Sequence, residues 1–261
     1  MTNKVITKIW QEEPLDTNAF IANKAFCHGF DVYGDMLGKA SWLQMTWLLF
    51  KGEPANKTQL QLFEDLALAI ANPGPRDPSV HAAMCAGTGG STNASALMAA
   101  LAVGAGQKGG AREVFEAVCA LNSSNKDTDI FIERVSFKDN NATIWPEHKS
   151  IIGFDNNQED SPLVVQLLEH LSKNKNSNHL VWLLENKSSL EAKVCAKINQ
   201  QLVAACAFID LGFNAEESEM LYLLLRLPGA AAHALEQKQL GPKNFPFFDL
   251  DLQNDPEKSN E

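Results

Sequence analysis

No run of about 18 uninterrupted apolar residues occurs in the chain, so no membrane-spanning helix is expected. The opening stretch MTNKVITKIWQEEP lacks the apolar segment of a secretory signal, and a cytoplasmic location is the expectation. An excess of cations is missing too: 22 lysines and arginines stand against 32 aspartates and glutamates, a net charge of -10. That balance argues against non-specific binding to nucleic acid or to an anionic membrane surface. An anionic ligand would need cations placed locally. Arginine is scarce, with Arg76, Arg112, Arg134 and Arg226 the whole set, so each position matters. The five cysteines, Cys27, Cys85, Cys119, Cys195 and Cys206, are odd in number, scattered and without a C-x-x-C pair. They read as reduced core thiols, not as a disulfide frame or a zinc site. The N-x-S/T triplets at Asn93 and Asn141 read as chance matches. Neither a G-x-S-x-G elbow nor a Walker loop is present.

What is present is helical patterning. A chain of 261 residues can form one large domain or two modest ones, burying roughly 70–75% of its unfolded surface without a covalent staple. Residues 3–10 alternate weakly and suggest a short strand; beyond them the pattern is helical. Ser41 is a cap for WLQMTWLLFK, with Gly52 its stop. Thr58 and Gln61 have capping-box spacing ahead of LQLFEDLALAI, which Asn72-Pro73-Gly74-Pro75 must end. Asp77-Pro78 starts another helix, with proline in its favoured first position. The small-residue segment 91–106, STNASALMAALAVGAG, is expected deep in the core or at a subunit interface. Gly109-Gly110 precedes the helix AREVFEAVCAL. Residues 122–160 are polar and loop-like, and Ser161-Pro162 opens PLVVQLLEHL. HLVWLLENK and SLEAKVCAKINQQLVAACAFIDLG read as two helices, the second ending at Gly212. Asn214 caps AEESEMLYLLLRL, Pro228-Gly229 interrupts, and AAAHALEQKQL follows. The 251–261 tail is polar, acidic and expected to be disordered.

Few residues stand out chemically. Gly104-Ala-Gly106-Gln-Lys-Gly109 matches G-x-G-x-x-G, but an Ala-rich helix precedes it where a dinucleotide site needs a strand. A tight helix–helix turn is the better reading. His233, Glu236 and Gln237 share a helix face, yet nothing suggests the further ligands that a metal needs. Glu147-His148 and Glu169-His170 read as solvated surface. His28, His81 and His179 have no partner that sequence can name. Arg226 is different: a lone guanidinium in an apolar helix is costly to bury unless it meets an anion. That anion is either a bound carboxylate or phosphate, or an internal acid.

Taken in order, these segments resemble the citrate synthase and citryl-CoA lyase family from about Gly29 to Phe248. GFDVYGDMLGKASWLQMTWLLFKGEPA is similar to its opening turn and Leu-rich helix. Asp77-Pro78-Ser79, then Gly109-Gly110-Ala111-Arg112-Glu113, resemble its proline-serine helix start and H-G-G-A-x-E turn. Ile198-Asn199-Gln200-Gln201 resembles its N-V-D helix. Arg226-Leu-Pro-Gly229 through His233 to Glu236-Gln237-Lys238 resembles its closing R-x-x-G…A-H-x-x-E-Q run. The likeness is greatest to the short lyase-type members.

The resemblance implies an all-α, citrate synthase-like fold, with a large helical domain at 1–110 plus 206–261 and a smaller one at 111–205. It implies chemistry at a carbon–carbon bond beside an acyl-CoA thioester: an aspartate takes the α-proton, histidines polarise carbonyls and an arginine clamps carboxylates. It also implies close dimers. Here the family's positions are altered. Lys108 stands for the histidine of H-G-G, Gln201 for the aspartate of N-V-D, Ile151-Ile152-Gly153-Phe154 for the G-x-G-H turn, and Asn72-Pro73-Gly74 for the earlier histidine site. Arg226 alone is retained as the substrate-binding carboxylate clamp, and Lys108 is the candidate electrophile. The pocket beside Arg226 is expected to hold no proton acceptor. One reading is then a degenerate member that binds a small carboxylate or CoA thioester, with no covalent cofactor, as a homo-oligomer or a paired subunit. Another is an enzyme of altered lyase or condensation chemistry using Lys108, Arg226 and a displaced acid such as Asp155 or Asp160. A third is an unrelated helical scaffold.

Overall fold

A two-residue turn at Asp16-Thr17 begins the fold in the computed structural model, which describes residues 7–136 and 151–245. It joins β1 (Trp10–Leu15) to β2 (Asn18–Cys27) in an antiparallel hairpin, and β3 (Phe30–Asp31) adds along β2. The helical pattern expected after residue 10 therefore starts later. Almost every side chain of β1 and of β2 up to Lys24 is exposed, so neither strand carries the alternation that marks a half-buried one. Pro14 sits at a register shift, where a missing N–H is tolerated.

Helices dominate the rest: α1 (Trp42–Lys51), α2 (Lys57–Ile70), α3 (Pro78–Thr88), α4 (Asn93–Gly104), α5 (Ala111–Ser124) and α6 (Thr128–Val135). After β4 (Phe154–Asp155) come α7 (Pro162–Leu171), α8 (His179–Val194), β5 (Lys197–Ile198), α9 (Gln200–Asp210) and α10 (Ala215–Leu240). The all-α class expected from sequence is the class observed. None of these helices is long and apolar enough to cross a membrane, among the described residues.

Several boundaries move. The capping box before α2 is Asn56 with Gln59, not Thr58 with Gln61; Asn is the stronger N-cap, and the Thr58 hydroxyl donates to it. Asp127 caps α6 inside the stretch read as loop. SLEAKV belongs to α8, and the chain breaks at Cys195, which holds a left-handed conformation. Pro228 does not interrupt α10. Residues 3–6, Glu147-His148 and the 251–261 tail lie outside the described residues.

Contacts sort the chain into two units, one holding residues up to Ala71 with Ala105–Leu225, the other Asn72–Gly104 with the chain from Arg226. The first is built around α9. Residues Gln201 to Phe208 are all buried, and α2, α5, α7 and α8 pack against them. A helix apolar on every side belongs in a core. Trp47, Phe63, Phe208 and Phe213 form an aromatic cluster with ring centres 5.1–6.0 Å apart. The second unit packs α3 against α4 through Val80, Ala83, Ala96 and Ala100, with Ala230 and Ala234 of α10. At Gly87 a Cβ would lie 2.4 Å from the Ala234 carbonyl, so the close α3–α10 approach requires glycine. One face of the small-residue helix α4 is thus core, and Met98 and Val103 on it are exposed.

The thiols split. All five are free, but only Cys27 and Cys206 are buried, whereas Cys85, Cys119 and Cys195 are exposed. Apolar neighbours in sequence do not decide which face of a helix a cysteine takes, so the expected core placement holds for two of them.

Candidate functional site

The first cluster lies in the unit built on α9, and glycine geometry starts it. Gly109 has φ +68° and Gly153 φ +83°, left-handed conformations that turn the chain sharply. Gly110 caps α5 without a side chain, so the acid at the third helical position, Glu113, reaches back instead. One of its oxygens accepts the Gly109 N–H at 2.6 Å. The other accepts the Gly153 N–H at 2.9 Å and the Asn199 amide at 2.7 Å. Asn199 in turn caps α9, accepting the Leu202 N–H at 3.0 Å. Glu113 is only 4% exposed. Burial raises its pKa above the ordinary 4.5, opposed by the hydrogen bonds from Asn199, Gly153 and Gly109 and aided by the nearby Asp155 charge.

Two of the sequence-derived positions meet here. Gln201, 9% exposed, donates from its carboxamide to the Gly109 carbonyl at 2.8 Å, and Lys108 is the exposed residue next to that glycine. Phe154 turns into the core, its ring centre 6.5 Å from that of Phe131. Asp160 is engaged elsewhere. It bonds Lys187 at 2.7 Å and Lys197 at 3.3 Å, and both lysines also pair with the buried Glu191. Asp155 is exposed on β4.

Arg226 lies in the other unit. Its Nη2 pairs with the Asp77 carboxylate, so of the two anions left open by the sequence, an internal acid is present. The expectation that the pocket beside Arg226 holds no side chain able to accept a proton, on which the degenerate reading depends, is corrected accordingly. Asp77 is the N-cap of α3, and its second oxygen accepts the Ser79 hydroxyl at 2.5 Å and the Ser79 N–H at 2.9 Å. Both oxygens are therefore engaged in holding the helix start and the guanidinium.

The remaining candidates are structural. Gly104 ends α4, so the G-x-G-x-x-G match spans a helix–helix turn, as read. His233 lies 3.4 Å from Glu236, and Gln237 donates to the Gly241 carbonyl; no group of three ligands for a metal exists among the described residues. His179 does have a partner: Asp210 accepts its Nδ1 at 2.9 Å and three backbone N–H groups at the start of α8. His170 bonds Asp65, and His28 packs on Gly52. Arg112 stacks on Phe115 and pairs with Glu116, Arg134 borders an open groove with Cys119, and Arg76 is exposed. Glu113 is the residue to which sequence reading assigned no role. Its signal was available: an acid on the same helix face as Val114, Ala117, Val118 and Leu121.

Neither a family model nor a curated protein sequence matches the chain. Solved structures do. A citryl-CoA lyase from Hydrogenobacter thermophilus matches at TM-score 0.71 and 16% identity, covering 99% of this chain and 100% of its own. An ATP citrate lyase from Methanothrix soehngenii, in complex with citrate and coenzyme A, matches at TM-score 0.71 and 18% identity over 96% of this chain but 42% of its own. A citrate synthase from Thermotoga maritima matches at TM-score 0.57 and 18% identity, over 81% of this chain and 57% of its own. At such identities the shared property is the helical fold.

Proposed function

We propose that this chain, citrate synthase/citryl-CoA lyase-like by its fold, is a degenerate member of that family that binds a small carboxylate or a CoA thioester. The observation that carries this reading is Gln201, since Asp77, the carboxylate that does stand at Arg226, is engaged by the guanidinium at one oxygen and by Ser79 at the other. A carboxamide has no basic form near neutral pH, and this one is committed to the Gly109 carbonyl, so it cannot take a carbon-bound proton. Glu113, the acid beneath the same turn, already accepts three hydrogen bonds and has no free approach for a substrate. Lys108 supplies a cation on that turn. Within its own unit, Arg226 is the proposed carboxylate contact where a ligand competes with Asp77. The ligand class is supported by the neighbours, one of which holds citrate and coenzyme A. A homo-oligomer or paired-subunit role, a cytoplasmic location, and a domain division at 1–110 with 206–261 against 111–205 belong to the same proposal.

Calorimetry of the full chain with citrate, other di- and tricarboxylates, coenzyme A and acetyl-CoA tests it. Saturable binding that weakens at least tenfold in Lys108→Ala, without citryl-CoA cleavage or condensation of acetyl-CoA with keto acids, is the expected result. Loss of a general base costs about 10²–10⁴-fold in rate, so turnover within tenfold of an ordinary enzyme of this fold would overturn the degenerate assignment.

A further inference from the structure

We propose that Glu113 is the positioning residue of the Gly109 turn: one buried carboxyl group that holds three separate chain segments in register and thereby sets where Lys108 stands. The ligand part of this inference rests on the function proposed above; the positioning part does not. Glu113 collects donors from the turn before α5, from the turn before β4 and from the cap of α9, which lie 4, 40 and 86 positions away in sequence. The N–H groups of Gly109 and Gly153 lie outside any helix or strand ladder, and Glu113 is the acceptor they donate to. A buried N–H such as that of Gly153, left without one, costs about 1–3 kcal/mol, and the half-buried N–H of Gly109 loses part of that.

A carboxylate satisfies all three. It accepts at both oxygens, whereas a carboxamide accepts at one and presents N–H groups at the other. In Glu113→Gln the carboxamide oxygen is best spent on the two donors at Gly153 and Asn199. The Gly109 N–H then faces another donor. Loosening is therefore expected to be one-sided, starting at the turn that carries Lys108, with Gln201 losing its anchor on the Gly109 carbonyl next. A residue that merely filled space would not produce that asymmetry.

Amide hydrogen exchange on the full chain, followed by NMR or by overlapping peptides, reads this directly. Glu113→Gln should keep its helical circular dichroism and exchange at Gly109 at least tenfold faster than the parent, with Gly153 changed less than threefold. Asn199→Ser serves as the second variant, because serine still caps α9 but cannot reach Glu113. It should leave Gly109 within threefold of the parent. Parent-like exchange at Gly109 in Glu113→Gln, a uniform rise that includes α7, or equal opening of Gly109 in Asn199→Ser would each overturn the positioning role. Titration with citrate and with coenzyme A adds the ligand arm, in which Glu113→Gln should weaken parent binding at least tenfold. A parent that binds neither ligand counts against the proposed function alone, and the exchange result still decides the role of Glu113.

Discussion

Arg226 carries the sharpest lesson among single residues. Its cost in an apolar helix was legible, because a guanidinium without an anion cannot be buried cheaply. Its partner was not, because Asp77 lies 149 positions away and only folding brings the two together. Removing one member of a buried pair costs about 3–5 kcal/mol, and Asp77 keeps its Ser79 and Val80 donors. Arg226→Ala should therefore lose roughly 3 kcal/mol in urea unfolding, the lower end of that range. Combining Arg226→Met with Asp77→Asn should recover most of it, and no recovery would mean that the ion pair is not the source of the loss. Gln201 is the opposite case. What it cannot do is fixed by its chemical identity, whatever surrounds it.

At the scale of elements, local chemistry read well and tertiary support read poorly. Ser41, Gly52, and Asp77 before Pro78 act where the sequence put them, since caps bond within three or four residues. Pro228 misled. It removes a helical hydrogen bond, yet α10 runs on because Leu221 and Tyr222 before it and Ala230 and Ala234 after it are held by packing. The hairpin of β1 and β2 escaped notice because its side chains, including Phe20 at 99% exposure, face solvent on both sides. Close packing also makes a prediction at Gly87. Because an added Cβ would strike the Ala234 carbonyl, a backbone atom, Gly87→Ala must push α3 from α10. Overpacking of this kind costs about 1–3 kcal/mol, and differential scanning calorimetry should record a lower Tm. An unchanged or higher Tm would show that the contact relaxes freely.

For the molecule as a whole, stability against pH follows from the network of Asp160, Lys187, Lys197 and Glu191. The hydrogen bond from Lys187, with help from Lys197, holds Asp160 below its ordinary 3.8. A depressed acid stabilises the fold above its unfolded value and loses that contribution as pH falls through the folded one. Burial pulls Lys187 down, but its bonds to Asp160 and Glu191 outweigh this, and Lys197 is raised chiefly by Glu191, so both stay charged beyond 10.5. Asp160→Asn should therefore lower Tm at pH 7, with the difference from the parent closing as pH drops below 3.8. A difference that persists at acid pH would assign the loss to shape and not to charge. Sequence alone determined the caps at Ser41 and Asp77, the stop at Gly52 and the carboxamide at position 201, because each depends on one side chain or on neighbours a few residues away. Only the tertiary structure decided that Arg226 meets Asp77, that Asp160 joins lysines and that the distant donors of Gly153 and Asn199 converge on Glu113. Those meetings span 27 to 149 positions, and only the packed core brings such residues within hydrogen-bond reach of one another.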